Sequence, residues 1–245
     1  MLTTLLIPTL NERIGLEKIL PRIKSTWVDQ ILIVDGQSTD GTADYARSLG
    51  YEVVVQSKKG MRNAYMEAMP YVKGDVIITF SPDGNSIPEL IPALIDKVKE
   101  GYAMVIVSRY KNGAKSYDDD PITAFGNKLF TFLINVLYRA HYTDSMVIFR
   151  AYQKDIIWQL DLDMDYSYSL EEKLFKTNIS WEPLMSIRAA KTNMDTAEIP
   201  GDEPPRLAGV RKLQVWKWGA AYLMQIFRNL LWSWKCSKSV TVHSV

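Results

Sequence analysis

Three short polar segments each follow an apolar run and carry side chains suited to chemistry. They lie at residues 8–9, at Asp35 and at residues 81–83. Carboxylate and amide oxygens are the ligands that Mg²⁺ and Mn²⁺ prefer, and Asn85 lies two residues beyond Asp83. Asp83 also stands in a Pro-Asp-Gly sequence, which is common in ordinary turns. The sequence thus indicates a divalent-metal site or a simple turn at Asp83, and its position after a buried strand favours the metal site.

Several other chemistries are excluded by residue content. The chain of 245 residues has one cysteine and two histidines, which excludes an intramolecular disulfide framework and a Cys-rich or His-rich metal centre. No G-x-x-x-x-G-K-[ST] or G-x-G-x-x-G motif follows the first apolar run, which argues against a nucleoside triphosphatase or a dinucleotide enzyme. The N-terminus lacks the basic and apolar regions of a signal peptide, so we expect a cytoplasmic protein.

Alternating strand and helix patterns over the first hundred residues must position the polar segments. Short apolar, β-branched runs predict buried strands, and they lie at residues 5–7, 31–34, 53–55, 76–80 and 104–107. Helical periodicity appears at residues 16–23 and 91–98, the second after a cap at Ser86. The pattern predicts an α/β protein with a mostly parallel, doubly wound, Rossmann-like sheet flanked by helices. In such sheets ligands bind at the carboxyl ends of the strands.

The pattern changes after residue 110. Residues 111–121 predict a mobile loop with three consecutive aspartates, and residues 129–138 predict an apolar helix too short to span a bilayer. Residues 213–234 predict an amphipathic helix that lies on a surface. Its apolar stripe comprises Leu213, Trp216, Ala220, Leu223, Phe227, Leu230 and Trp234. Its polar face comprises Lys217, Gln225, Arg228 and Asn229.

Basic residues and tryptophans are concentrated near the C-terminus. Seven Lys and Arg residues and no acidic residue lie between residues 204 and 245, although the whole chain has a net charge of +1. Four of the seven tryptophans lie in the same stretch. This combination fits an anionic membrane interface better than a nucleic-acid groove, so we expect no nucleic-acid partner. It fits equally well an amphipathic helix packed on the protein's own core.

A series of motifs runs from residue 7 to residue 213. They are PTLNE at residues 8–12, VDGQSTDGT at 34–42, SPDGN at 81–85, VSRY at 107–110, DSMVIFRA at 144–151, and EIP at 198–200 followed by Arg206, Gly209, Lys212 and Leu213. In order and spacing they resemble the motifs of family 2 glycosyltransferases of GT-A fold, in particular the branch similar to dolichyl-phosphate mannose synthase. The corresponding family patterns are P-x-x-N-E, V-D-D-G-S-T-D-G-T, D-x-D, G-S-R-Y, D-x-x-S-G-F-R-A and E-V-P, R-x-x-G-x-S-K-L.

The resemblance implies a nucleotide-diphosphate sugar donor and Mg²⁺ or Mn²⁺ as cofactor. It assigns donor binding to Pro8, Thr9, Asn11, Glu12, Asp35, Arg62 and Ser81, and the metal to Asp83 and Asn85. It assigns catalysis to Asp83, Arg109, Asp144 and Arg206. It assigns the acceptor phosphate to Arg109, Asn127, Arg206 and Lys212. A planar guanidinium can clamp phosphate oxygens in pairs, which suits the two arginines for this task.

Two positions depart from the family pattern. Ser81 replaces the first Asp of D-x-D, and Gly36 replaces the second Asp of V-D-D. We expect metal and nucleotide binding to be weaker, or arranged differently, as a result. A general base is required only if the acceptor is a hydroxyl, because the oxygen of a lipid phosphate is already an anion. Asp144 is then the first candidate, before Glu171 and Glu172.

The sequence predicts a GT-A glycosyltransferase domain at residues 1–212 and a basic, amphipathic extension at residues 213–245. The resemblance implies an inverting transfer to a polyprenyl phosphate or lipid-linked glycan, and the basic, Trp-rich extension leads us to expect a protein peripheral on the inner face of the membrane. One alternative is a soluble transferase that acts on a hydroxyl of a sugar or small molecule. Another is a nucleotide-sugar-binding protein without turnover, as the changes at Ser81 and Gly36 suggest. The sequence leaves a homo-oligomer open.

Overall fold

The computed structural model describes residues 1–207 and 214–233, which form a central sheet with helices on both faces. The strands are β1 (Thr3–Thr9), β2 (Gln30–Asp35), β3 (Glu52–Val55), β4 (Val76–Thr79), β5 (Met104–Ser108), β6 (Arg150–Gln153) and β7 (Thr196–Pro200). The helices are α1 (Arg13–Ile19), α2 (Thr42–Ser48), α3 (Met61–Ala68), α4 (Ile91–Lys99), α5 (Pro121–Tyr138), α6 (Ile156–Gln159), α7 (Ser169–Phe175), α8 (Glu182–Lys191) and α9 (Val215–Arg228).

The sheet has the strand order β3-β2-β1-β4-β6-β5-β7. Neighbouring strands are parallel except at β6, which is antiparallel to both β4 and β5. Arg150, the first residue of β6, lies opposite Thr79 and Ile106 near the carboxyl ends of β4 and β5. The chain therefore leaves β5 and enters β6 at the same edge, which reverses β6. The predicted mostly parallel sheet is confirmed, and the reversal is additional to the prediction.

Two apolar clusters pack on opposite faces of the sheet. Successive side chains of a strand point to opposite faces, so Leu6 joins one cluster while Leu5 and Ile7 join the other. The first cluster contains side chains of α3, α5, α8 and α9, and the second contains side chains of α1 and α4. Burial on both faces explains the continuous apolar runs of the central strands. The prediction is wrong for β3, an edge strand whose Val55 is 47% exposed.

Two helix starts differ from the prediction. Helix α5 begins at Pro121 because the Asp120 side chain caps it, accepting hydrogen bonds from the N–H groups of Ile122 and Thr123 at 2.9 Å. The aspartate run predicted as part of a loop thus provides the cap. Ser86 does not cap α4, because a 3₁₀ turn at Pro88–Leu90 precedes the helix.

Helix α9 packs by the face that was predicted to be polar. Ala221, Tyr222, Gln225 and Ile226 are buried, whereas Trp216 of the predicted stripe is 81% exposed. Long-range partners make this orientation favourable, since the buried Asn229 just after the helix accepts a hydrogen bond from Arg188. Phe227 and Leu230 of the stripe are also exposed, whereas Leu223 packs against the first cluster and Leu213 and Trp234 lie outside the described residues. The proposed domain boundary at residues 212–213 stays a prediction, because residues 208–213 lie outside the described residues.

Candidate active site

The loops after β1 and β2 form one hydrogen-bonded unit at the carboxyl edge of the sheet. The Thr9 hydroxyl donates to Asp35 Oδ1 at 3.1 Å, and the N–H of Ser38 donates to Asp35 Oδ2 at 2.8 Å. The Asn11 side chain accepts from the N–H of Thr39 at 2.8 Å. Asn11 adopts a left-handed backbone with φ 54°. The structure therefore brings together the residues that sequence assigned to the donor in these loops, which are Pro8, Thr9, Asn11, Glu12 and Asp35.

Gly36, which replaces an aspartate of the family pattern, is part of this hydrogen-bonded unit. The N–H of Gly36 donates to the Thr9 carbonyl at 2.7 Å. A Cβ atom at Gly36 would lie 3.1 Å from that carbonyl oxygen and 3.4 Å from the Leu10 side chain. An aspartate at this position would therefore require the neighbouring loop to shift by a few tenths of an ångström. The close approach of the two loops explains why glycine suits this position in this chain.

Asp83 and Arg206 form an ion pair just after β4. Arg206 Nη1 lies 3.0 Å from Asp83 Oδ2, and Arg206 Nη2 lies 3.4 Å from Asp118 Oδ2. The N–H of Leu207 donates to the Asp83 carbonyl at 2.8 Å. A Cβ atom at Gly84 would lie 2.4 Å from the Leu207 side chain, so glycine permits this close approach. The segment that carries Arg206 thus lies directly on the Asp83 turn.

Asp83 and Asn85 carry oxygen donors of the kind that a divalent cation takes, although the described residues hold no cluster of three or more Asp, Glu, His or Cys side chains that could bind one. The Asp83 side chain is largely buried and also accepts from the Asn85 N–H at 3.1 Å. Asn85 Nδ2 donates to Asp118 at 3.0 Å, while Asn85 Oδ1 is buried and has no hydrogen-bond partner among the described residues. A carboxylate and an unpartnered amide oxygen two residues apart are the hard donors that Mg²⁺ and Mn²⁺ take. In this structure the guanidinium of Arg206, and not a divalent cation, compensates the negative charge of Asp83.

Arg109 is buried among carboxylates. Its Nε lies 2.6 Å from Asp144 Oδ2, its Nη2 lies 3.0 Å from Asp144 Oδ1, and its Nη1 lies 3.3 Å from Glu203. Burial alone would lower the pKa of Arg109, but Asp144 and Glu203 hold this pKa well above its ordinary value. Burial raises the pKa of Glu203, although Arg109 opposes the shift. Asp144 is fully buried, and its two oxygens are engaged by Arg109.

Asn127 joins the Arg109 cluster from α5. Its amide donates to Tyr110 Oη at 3.3 Å and to Asp119 Oδ2 at 3.2 Å. The Tyr110 hydroxyl donates to the same Asp119 carboxylate. Arg109 Nη1 lies 3.9 Å from Asp119. Asp118 and Asp119 therefore join the Arg206 group to the Arg109 group, and six of the sequence-assigned residues meet here: Asp83, Asn85, Arg109, Asn127, Asp144 and Arg206.

Three acidic residues of this site were missed by sequence reasoning. Asp118 and Asp119 were assigned to a mobile loop, and Glu203 was not singled out. The sequence did contain a signal for them, namely an acidic run and a glutamate close to Arg206. Carboxylates are the expected partners of the two arginines that were proposed to bind phosphate. Glu198 of the EIP motif has a positioning role, because its carboxylate accepts from the N–H groups of Thr143 and Asp144 at 2.8 and 3.0 Å.

Arg62 lies apart from this group. Its guanidinium pairs with Asp165 and Glu172 beside α7. Ser81 follows β4 on the same turn as Asp83 and is partly buried. Lys212, which the resemblance assigned to the acceptor phosphate, lies outside the described residues, as do Gly209, Arg211 and Leu213.

Comparison with known proteins gives family and fold. Residues 4–161 match the family described as Glycosyl transferase family 2. The chain is 33% identical over 123 residues to a dolichol-phosphate mannosyltransferase of Pyrococcus furiosus, covering 47% of this chain and 35% of that protein. It is 26% identical over 226 residues to a polyprenol monophosphomannose synthase of Mycolicibacterium smegmatis, covering 86% and 80% of the two chains. The chain spans only about a third to two thirds of the length of the first curated relatives that it matches.

Solved structures confirm the predicted fold. Glucosyl-3-phosphoglycerate synthase from Mycobacterium tuberculosis, in complex with Mn²⁺, UDP and phosphoglyceric acid, superposes with a TM-score of 0.65 at 18% identity. The match covers 94% of this chain and 78% of that one. At this identity the likeness shows the fold, and the chemistry must be argued from this chain's own residues.

Proposed function

Because the chain belongs to glycosyl transferase family 2, we propose that it transfers a sugar from a nucleotide-diphosphate sugar to a polyprenyl phosphate. One observation carries the proposal: Asp83, Asn85 and two arginines meet at the sheet edge where the donor loops end. Two relatives support the acceptor class, since they are named a dolichol-phosphate mannosyltransferase and a polyprenol monophosphomannose synthase.

Asp83 and Asn85 would hold the divalent cation. A bound Mg²⁺ or Mn²⁺ would act as a Lewis acid and stabilise the charge on the departing nucleoside diphosphate. The Mn²⁺ and UDP bound by a protein of the same fold support this assignment. Arg206, which lies 3.0 Å from Asp83, is positioned to pair with phosphate oxygens once it leaves that carboxylate.

In the proposed reaction an acceptor phosphate oxygen bonds to the anomeric carbon. The bond from that carbon to the diphosphate breaks, its electron pair leaves with the nucleoside diphosphate, and the configuration inverts. The attacking oxygen is already an anion, so no side chain needs to take a proton. We therefore assign Asp144 to orienting Arg109, which agrees with its complete burial and its paired contacts.

Donor binding followed by transfer tests the proposal. UDP-sugars and GDP-sugars are added with and without Mn²⁺, and the donor that binds the native state should raise the melting temperature only with the metal. That donor is then supplied with polyprenyl phosphate in detergent, and a glycosylated lipid should form. Transfer only to a free sugar would favour the soluble alternative. Donor binding without transfer or hydrolysis would favour a nucleotide-sugar-binding protein.

Exposed apolar side chains support a peripheral membrane location. Helix α5 leaves Ile122, Phe125, Phe132 and Val136 between 57% and 67% exposed, at helical spacing along one stripe. Phe130 of α5 packs edge-to-face on Tyr222 of α9, which joins the two helices. The charged residues of α5 and α9 are all basic, namely Lys128, Lys217 and Arg228, of which Arg228 is paired with Glu171. Apolar stripes on helices with only basic charges suit the surface of an anionic bilayer.

No helix in the described parts of the chain has both the length and the apolar character needed to cross a bilayer.

Replacing Phe125 and Phe132 together with Ser should weaken binding to anionic vesicles, because it removes apolar insertion and leaves the charge unchanged. Added salt should weaken binding of the wild-type protein, since exposed charges are screened within about 8 Å at physiological ionic strength. Co-sedimentation measures both effects. The matched control replaces Leu2 and Leu49, which are 50% and 49% exposed elsewhere on the protein. Wild-type protein that stays in the supernatant at low salt would contradict the membrane proposal.

Replacing Ser81 with Asp should tighten Mn²⁺ binding about tenfold, because the added carboxylate increases the ligand charge beside Asp83. Titration with Mn²⁺ followed by electron paramagnetic resonance gives the affinity. Ser48→Asp adds the same charge on an exposed part of α2, and it should leave the affinity unchanged. An unchanged affinity in Ser81→Asp would place residue 81 away from the ion.

A further inference from the structure

A polar cavity of about 670 Å³ opens between the start of α3 and helix α7. Its lining includes Lys58, Arg62, Asn63, Lys173, Lys176 and Asn178. None of these side chains belongs to the Asp83, Arg206 and Arg109 group described above. Pockets of this volume commonly hold small ligands.

Arg62 is the central group of the cavity. The residue is 7% exposed, and its guanidinium lies 4.3 Å from the centre of the Tyr168 ring. Nη1 lies 2.9 Å from Asp165, and Nη2 lies 3.4 Å from Glu172. Nε is buried and has no hydrogen-bond partner in the part of the chain that the structure describes. The guanidinium therefore keeps one donor unsatisfied and makes one long contact.

The cavity has an excess of positive charge. Its two carboxylates, Asp165 and Glu172, are both paired with Arg62. Lys58, Lys173 and Lys176 make no ion pair with any residue in the ranges 1–207 and 214–233. Amides and hydroxyls of Asn63, Asn178, Ser169 and Thr177 complete the wall, and the amide nitrogens of Asn63 and Asn178 donate to the Lys59 carbonyl at 2.8 and 3.3 Å. Cationic groups bind phosphate or carboxylate oxygens, and neutral amides and hydroxyls bind sugar hydroxyls.

The cavity lies beside the loops assigned to the donor. The N–H of Gln56 donates to the Asp35 carbonyl at 2.9 Å, and Gln56 Nε2 donates to the Lys58 carbonyl at 2.8 Å. Two hydrogen bonds thus connect the second donor loop to the cavity wall. Elsewhere in the lining, Thr177 accepts from Trp218 Nε1 of α9 at 2.8 Å.

We propose that this cavity is a second binding site, which takes a sugar bearing a phosphate or carboxylate group. The anionic group contacts Arg62 and the lysines, and the sugar hydroxyls contact the amides. Such a ligand is either free in solution or the anionic sugar of a lipid-linked glycan, the second acceptor class that the sequence allows. The resemblance assigned Arg62 to the donor, and this proposal reassigns it to a site apart from Asp83 and Arg206, so occupancy of the cavity does not depend on transfer.

Calorimetric titration of the 245-residue protein with glucose 1-phosphate, in the presence of excess UDP and GDP, tests the proposal. Wild-type protein should bind the probe, and the double variant Lys173→Gln/Lys176→Gln should bind it about tenfold more weakly, as expected for two lost surface charges. The control Lys18→Gln/Lys24→Gln removes two lysines near α1, on the opposite face of the sheet, and should bind like the wild type. Equal affinity in the cavity variant, or no binding of the wild-type protein in the presence of UDP and GDP, would overturn the proposal.

The variant Asp165→Asn should change the affinity for glucose 1-phosphate in the opposite direction. Its carboxylate competes for Arg62 and is 88% exposed, so its removal should not affect folding. The variant should bind glucose 1-phosphate about threefold more tightly, and weaker binding would contradict the proposal. Transfer assays then distinguish the two sources of the ligand. Competition between the probe and acceptor transfer identifies an acceptor subsite, whereas binding without competition identifies a free ligand.

Discussion

Replacing Asp83 with Asn should lower transfer by about a thousandfold, since a neutral amide holds the metal much more weakly than a carboxylate and several kcal/mol of Lewis-acid stabilisation of the departing diphosphate are lost. The amide oxygen can still accept from the N–H of Asn85, so the turn should be preserved. Mn²⁺ should no longer increase donor affinity in this variant. Steady-state transfer rates and calorimetric titration of the donor, with and without Mn²⁺, measure the two effects.

Asp118 provides the matched control for Asp83. It contacts the same two residues, since its carboxylate lies 3.4 Å from Arg206 Nη2 and accepts from Asn85 Nδ2 at 3.0 Å, but it lies in the segment before α5. Asp118→Asn should lower transfer far less and should keep the effect of Mn²⁺ on donor binding. Similar losses in both variants would mean that Asp83 acts through its ion pair with Arg206. Normal turnover of Asp83→Asn with Mn²⁺ would exclude Asp83 as a metal ligand.

The central strands are predictable because their burial leaves a strong local signal. β1, β2, β4 and β5 are continuous apolar runs, as expected for strands covered on both faces. β6 reads as Arg-Ala-Tyr-Gln and gives no such signal. Its Arg150 is fully buried, and its guanidinium donates to the carbonyls of Val147 and Glu182 and to the hydroxyl of Ser186. Acceptors from a distant helix make an arginine tolerable there, and no local pattern reveals them.

Helix α9 also shows that a local sequence pattern does not reveal partners that are distant in sequence. Its helical periodicity was predicted, but the apolarity of its side chains identified the exposed face of the helix and not the face that packs on the protein. Gln225 and Asn229 are buried because α8 and the segment before α7 supply their partners, Arg188 and Ser167. Arg228 also turns inward and pairs with Glu171 at 2.7 Å. Polar residues that satisfy one another across the fold are thus mistaken for a solvated face when only one segment is considered.

The candidate site was predictable to the extent that strand ends identify it. Residues at the carboxyl ends of β1, β2 and β4 were expected on one rim, and the structure places them there. The ion pairs that connect them were not predictable. Arg206 and Asp118 are 88 residues apart in sequence, and Arg109 and Glu203 are 94 residues apart. Which carboxylate meets which arginine depends on how α5 and the segment after β7 return to the rim.

Arg206 pairs with carboxylates in the structure and with phosphates in the proposed reaction. In the structure it contacts Asp83 and Asp118, and its Nε is buried without a hydrogen-bond partner among the described residues. The guanidinium thus compensates the carboxylate that would bind the metal. A cation and Arg206 cannot both hold Asp83 Oδ2 at short distance without repulsion. Binding of the metal with its donor should therefore release Arg206 toward the phosphates.

Replacing Arg206 with Ala should consequently change two measurements in opposite directions. Transfer should fall by about a hundredfold, because a fixed cation aimed at developing phosphate charge acts mainly in the transition state. Mn²⁺ alone, without nucleotide, should bind several-fold more tightly, since Asp83 no longer has a competing cation. Arg206→Lys should recover only part of the transfer rate, because an ammonium lacks the paired geometry of the guanidinium. Arg22→Ala, which breaks an exposed ion pair with Glu89, is the control and should change neither quantity. Weaker Mn²⁺ binding in Arg206→Ala would show that the arginine supports the metal site and does not compete with it.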